Sequence, residues 1–179
     1  MNQEPTIRSR RIFEGKILSV RVDTVGLSQG RTSTREIVEH GPAVAIVPLD
    51  ENLNVLLVRQ YRKAVGQVLL EVPAGRMEDG EEPETCAQRE LEEETGFSAN
   101  RWERLGSFFT TPGFSDEEMH SFLATELTPG ESHPDEDEVI EPVTVPLTLV
   151  RELIEKGEIR DAKTITSLLL VLERTGRDG

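Results

Sequence analysis

Acidic residues pile up along Gly75-Arg76-Met77-Glu78-Asp79-Gly80-Glu81-Glu82-Pro83-Glu84-Thr85-Cys86-Ala87-Gln88-Arg89-Glu90-Leu91-Glu92-Glu93-Glu94-Thr95-Gly96-Phe97. The part from Pro83 to Thr95 reads as a helix. Proline suits the first helical position, acids suit the positive end of the helix dipole, and Gly96 suits the stop. At about 100° per residue, Ala87 and Leu91 share a face that can pack against a sheet. Glu90 and Glu94 lie one turn apart on the adjacent strip with Glu93 beside them, while Thr85, Gln88 and Glu92 point to solvent. Three carboxylates at one edge of a buried face should repel each other. Arg89 reaches Glu93 at i+4, but one cation does not balance three anions. A hard divalent cation with oxygen ligands does, and Mg²⁺ keeps room for waters and substrate phosphates. The ordinary alternative is an acidic helix face that is simply solvated.

Outward from this helix, turn residues and apolar runs set the organisation. Residues 12–39 read as strands, with a turn at Ser28-Gln29-Gly30, and Gly41-Pro42 separates them from the rest of the chain. Ala43–Leu49 is an uninterrupted apolar run, as expected of a strand buried on both faces, and Val55–Val58 and Val68–Val72 are similar. Strands around Arg104–Phe109 and Met119–Glu126 come after the helix, and Thr128–Glu138 reads as an exposed Pro- and acid-rich loop. Leu149, Val150, Leu153 and Ile154 make one amphipathic stripe and Ile165, Leu168, Leu169 and Leu172 another, so two helices close the chain. Buried strands alternating with helices imply an α/β fold, a mixed sheet covered by helices on both sides.

The chain has 179 residues, with 20 Lys+Arg against 34 Asp+Glu and a net charge of −14. Such a surface argues against nucleic acid or an anionic membrane as a partner. The single cysteine, Cys86, excludes a disulfide framework and fits a reducing compartment. Residues 1–11 lack the apolar core of a signal peptide and no apolar run is long enough to span a bilayer, so a cytoplasmic location is expected.

The spacing is more specific than the composition. Gly75, five residues, Glu81, seven residues, Arg89-Glu90-Leu91, one residue, Glu93-Glu94, one residue and Gly96-Phe97 together match the signature box of the Nudix hydrolase family. Average residue usage gives a chance match below about one in 10⁹ per start point. Gln60-Tyr61-Arg62, Glu71-Val72-Pro73-Ala74-Gly75, Pro112 beyond the box, and the ending Gly157-Glu158-Ile159-Arg160-Asp161-Ala162-Lys163-Thr164 resemble the ADP-ribose pyrophosphatase branch. The resemblance implies a Nudix-type α/β/α sandwich at 41–179, preceded by a small antiparallel β element at 1–40 that is exchanged in a homodimer.

The same resemblance implies Mg²⁺-dependent hydrolysis of ADP-ribose to AMP and ribose 5-phosphate, with Mn²⁺ as a substitute metal and a nucleoside diphosphate sugar as substrate class. The alternatives are another nucleotide sugar, such as GDP-mannose or ADP-glucose, and a non-catalytic nucleotide-sugar sensor. Matching positions put the metal on Glu90, Glu94 and the Ala74 carbonyl, with Glu93 as ligand or organiser, and Arg89 as orienter of the glutamates. The catalytic base is expected from the acidic run 135–138. Aligning Ile140 with the strand after the family's loop assigns it to Glu136 and an additional metal position to Glu138. Arg62 and Glu117 match contacts to the diphosphate or terminal ribose, with surface ion pairs as the alternative. Arg35 matches a residue that reaches the partner subunit's nucleotide.

Overall fold

Three antiparallel strands precede Gly41-Pro42 in the computed structural model, which describes residues 3–133 and 139–175. They are β1 (Thr6–Glu14), β2 (Ser19–Gly26) and β3 (Thr32–Glu39), in the order β1-β2-β3. The sequence places the first strand residues only from position 12. β1 starts at Thr6, and every one of its nine residues is exposed. A strand with no buried face leaves no hydrophobic alternation to read.

The chain divides into two compact units, residues 1–42 with 109–118, and residues 43–108 with 119–179. In the first, the 109–118 segment is stitched to the end of β3. Val38 N–H donates to the Phe114 carbonyl at 2.8 Å, Asp116 N–H to the Val38 carbonyl at 3.2 Å, and His40 N–H to the Asp116 carboxylate at 2.9 Å.

The second unit holds β4 (Ala43–Pro48), β5 (Asn54–Arg62), β6 (Gln67–Glu71), β7 (Ala74–Arg76), α1 (Pro83–Thr95), β10 (Ile140–Pro146), α2 (Val150–Glu155), α3 (Ala162–Thr175) and most of β8 (Phe97–Phe109) and β9 (Glu118–Pro129). Two sheets run β7-β4-β9-β8 and β10-β5-β6. β4 pairs parallel with β9 and antiparallel with β7, so the sheet is mixed. All six β4 residues are buried, as its apolar run requires.

The two faces of β4 explain the layering. Ala43, Ala45 and Val47 join Val150, Leu168 and Val171 in one core, whereas Val44 and Ile46 join Cys86, Ala87 and Leu91 in another. Alternate side chains of one strand thus bury α2 and α3 on one side and α1 on the other. The result is a sheet sandwiched between helices, as expected.

Beyond β1, four elements depart from the sequence reading. β6, read as buried on both faces, leaves Val68 60% exposed. β7 is only three residues long, too short to carry a period. β8 and β9 run well beyond the expected ends, and Thr128 and Pro129 belong to β9 rather than to a loop. β9 stays paired while its outer residues are exposed, so polarity alone misplaces its end.

Candidate active site

α1 starts and stops where its sequence dictates. Pro83 occupies the first turn and Gly96 takes the left-handed conformation (φ 74°, ψ 8°), its N–H donating to the Glu92 carbonyl at 2.9 Å. Ala87 and Leu91 are fully buried, while Thr85, Gln88 and Glu92 are exposed. With that rotation fixed, Glu90, Glu93 and Glu94 fall at the rim of the buried face.

The Ala74-Gly75 backbone of β7 meets this rim. Glu94 is 5 % exposed, and its carboxylate accepts the Ala74 N–H at 3.2 Å. The Glu90 carboxylate occupies the space a side chain at Gly75 would need: an added Cβ would lie 1.8 Å from its Cδ and 2.0 Å from Oε1. Glycine is therefore obligatory at 75 for Glu90 to hold this position.

Arg89 does more than the i+4 reach read from the sequence. Its Nη1 donates to Glu90 at 2.7 Å and to Glu93 at 2.9 Å, and its Nε donates to Glu81 at 3.1 Å. Thus the three glutamates do not meet as a trio. Arg89 gathers Glu90 and Glu93, while Glu94 faces the Ala74 backbone. Among the described residues, no three His, Cys, Asp or Glu side chains are grouped to hold a metal ion. The donor set still suits a hard cation. Two glutamates and a backbone strand offer only oxygen, and the clearance above Gly75 is filled by a carboxylate rather than an apolar group.

Glu81 is the organiser the sequence reading leaves without a role. It accepts Arg89 Nε and Nη2, at 3.1 and 3.2 Å, and the Glu78 N–H at 2.9 Å, tying the loop before α1 to the helix. Its place in the box is the only sequence signal. The hydrogen bond from Arg89 holds its carboxyl down to about 2, against an ordinary 4.5. A depressed carboxyl stabilises the fold above its unfolded value, and that contribution disappears as the pH falls from about 4.5 toward 2. Glu81→Gln should therefore lower the thermal midpoint at neutral pH, with the gap to wild type closing across this acid window. Parallel melting curves for the two proteins from pH 7 to 2 would contradict the role.

The remaining predicted residues separate into distinct environments. Arg62 pairs with Glu71 through Nε and Nη2, at 3.0 and 2.7 Å. Glu117 accepts the Thr110 hydroxyl and faces His40 Nδ1 at 3.3 Å. Arg35 forks onto Glu4 at 2.9 and 2.6 Å and is two-fifths exposed. Glu136 and Glu138 lie outside the described residues. Cys86 is a packed small residue as expected, fully buried on α1 in the core with Val44 and Ile46, and burial pushes its thiol up to about 12.

The box geometry has its counterpart in known proteins. A NUDIX domain model matches residues 39–168. The chain belongs to the Nudix family. Residues 4–38 match a second model, the nucleoside diphosphate sugar hydrolase N-terminal domain. An ADP-ribose pyrophosphatase of Bacillus subtilis (strain 168) is 44% identical over 164 residues, covering 90% of this chain and 89% of that protein. A methanol dehydrogenase activator of Bacillus methanolicus is 40% identical over 168 residues, covering 93% and 91%. A crystal structure of an ADP compounds hydrolase superposes with a TM-score of 0.90 at 25% identity, covering 100% of this chain and 97% of that one. This Nudix hydrolase has, among its described residues, no helix long and apolar enough to cross a membrane.

Proposed function

We propose that this Nudix hydrolase cleaves the diphosphate bond of ADP-ribose, giving AMP and ribose 5-phosphate. The observation that carries the reaction type is the meeting of the Glu90 and Glu94 carboxylates with the Ala74-Gly75 backbone. The substrate rests on likeness to an ADP-ribose pyrophosphatase over nine-tenths of the chain.

In this reading Glu90, Glu94 and the Ala74 carbonyl would hold Mg²⁺, or Mn²⁺ in its place, with Glu93 beside them and Glu138 as a further ligand. A bound divalent cation supplies charge neutralisation for the diphosphate and a water of lowered pKa. The chain's own part is positional. Arg89, fastened by Glu81, fixes where Glu90 and Glu93 start, and Gly75 leaves the space in which Glu90 works. Glu136 is proposed as the base that takes the proton from the attacking water. Arg62 and Glu117 are proposed to contact the diphosphate or the terminal ribose.

Chromatography of reactions with Mg²⁺ and ADP-ribose, GDP-mannose or ADP-glucose tests the proposal. AMP and ribose 5-phosphate from ADP-ribose, in preference to cleavage of the others, is the expected result. Faster turnover of another sugar nucleotide would move the substrate, and binding of ADP-ribose with no hydrolysis of any would leave a sensor.

We also propose that residues 1–40 form an element exchanged in a homodimer, bringing Arg35 to the partner's nucleotide. Support comes from the apolar side chains that β1 exposes: Ile7, Ile12 and Phe13 are 51–62% exposed. A partner chain covering that strand would remove this apolar surface from water. Sedimentation at assay concentration should show a dimer, and Arg35→Ala should weaken substrate affinity without dissociating it. A fully active monomer would overturn the proposal.

A further inference from the structure

Glu71, at the end of β6, is 1% exposed, and the proposed chemistry leaves its carboxylate unused. Two cations converge on it. Arg62 donates from Nε to Oε1 and from Nη2 to Oε2, and Lys163 Nζ donates to Oε2. Burial pushes this carboxyl up, but the Arg62 and Lys163 charges outweigh it and hold it below the ordinary glutamate value. Lys163 in turn pairs with Asp161 at 2.9 Å, and Asp161 accepts the Thr164 N–H at 2.9 Å and its hydroxyl at 2.6 Å. The Thr164 hydroxyl oxygen accepts the Val72 N–H at 3.0 Å. A chain of hydrogen bonds, most of them charge-assisted, thus joins the start of α3 to Val72, between β6 and β7.

An arginine held by both Nε and Nη2 is fixed in orientation as well as position, because the guanidinium is a rigid planar fork. The Arg62 side chain is 36% exposed, and among the described residues Glu71 is its sole ion-pair partner. Glu94 and Asp161 act on the same charge through space, and the exposed part of the fork is what an anion or hydroxyl arriving from solvent would meet.

We infer that Glu71 is a positioning residue that locks the Arg62 fork, with Lys163 and Asp161 bracing the lock, so that Arg62 meets the nucleoside diphosphate sugar already oriented. The inference rests on the proposed contact between Arg62 and substrate. A preorganised contact spares the cost of ordering a long side chain on binding. Glu71 acts through Arg62 and Lys163, so its loss should be felt in binding more than in turnover.

The test is a double-mutant cycle of Glu71→Gln and Arg62→Ala, reading KM and kcat for ADP-ribose. Uniform binding lost from ground and transition state alike raises KM alone. Glu71→Gln should raise KM about tenfold with kcat within about twofold. The double variant should be no worse than Arg62→Ala, since the lock has nothing left to hold. If thermal melts show that Glu71→Gln fails to fold, Glu71→Asp takes its place, withdrawing the carboxylate by one methylene, with the same KM rise and the same lack of additivity expected. Raised KM in Arg62→Ala with full additivity, or with none of the rise in the Glu71 variant, overturns the lock while leaving the Arg62 contact intact. An unchanged KM in Arg62→Ala overturns the contact and the lock together, and leaves the proposed hydrolysis untouched.

Discussion

Glu94→Gln should abolish nearly all turnover while leaving the fold intact. The side chain sits in a buried notch and accepts the Ala74 N–H. A glutamine presents an equivalent carbonyl oxygen there, so the hydrogen bond and the packing survive. The negative charge does not. In the proposed site that charge is one of the two fixed carboxylates that would hold the cation. Losing it should cost several kcal/mol of transition-state stabilisation, or about a thousandfold in kcat. Without divalent metal the thermal midpoint should stay level or rise, because one of the crowded anions is gone. Turnover measured under saturating substrate and Mg²⁺ decides the matter, and near wild-type kcat would sink the assignment of Glu94.

A methyl group at position 75 should do comparable damage from the opposite side. In Gly75→Ala the new Cβ would lie 1.8–2.2 Å from the three terminal atoms of Glu90. Those atoms end a flexible side chain, so the clash resolves by Glu90 swinging away rather than by the backbone moving. The fold should survive, with a loss of less than about 3 kcal/mol. The carboxylate, however, is driven more than an ångström from its place, and displacement on that scale costs about a hundredfold in rate. Low kcat with a nearly wild-type melt is the expected pair of results. Full activity in Gly75→Ala would show that Glu90 does not work from the position above Gly75.

The residues that made the site legible in the sequence are those whose relation is helical. Pro83, Ala87, Leu91 and Gly96 fix the ends and the rotation of α1, and the rotation alone places Glu90, Glu93 and Glu94 on one rim. The apolar run 43–49 likewise announces a strand covered on both sides. What the sequence hides is contact across the chain. Glu71 meets Arg62 nine positions away and Lys163 ninety-two positions away, through sheet pairing and helix docking that no local period encodes. Strand β1 is hidden for another reason. None of its residues is buried, so no alternation marks it, and only pairing with β2 shows it to be a strand. Arg89 is an intermediate case, since helix geometry gives its reach to Glu93 but not its grip on Glu81, which comes from the loop before the helix.

That grip has a consequence for the life of the protein. A guanidinium shared among Glu81, Glu90 and Glu93 stands in as a built-in counter-ion, so the crowded acids are already partly compensated when the chain emerges. If the proposed cation binds here, folding and loading would be separate events: the metal-free chain would already hold its acids in register, and the cation would add charge to a site whose frame is in place.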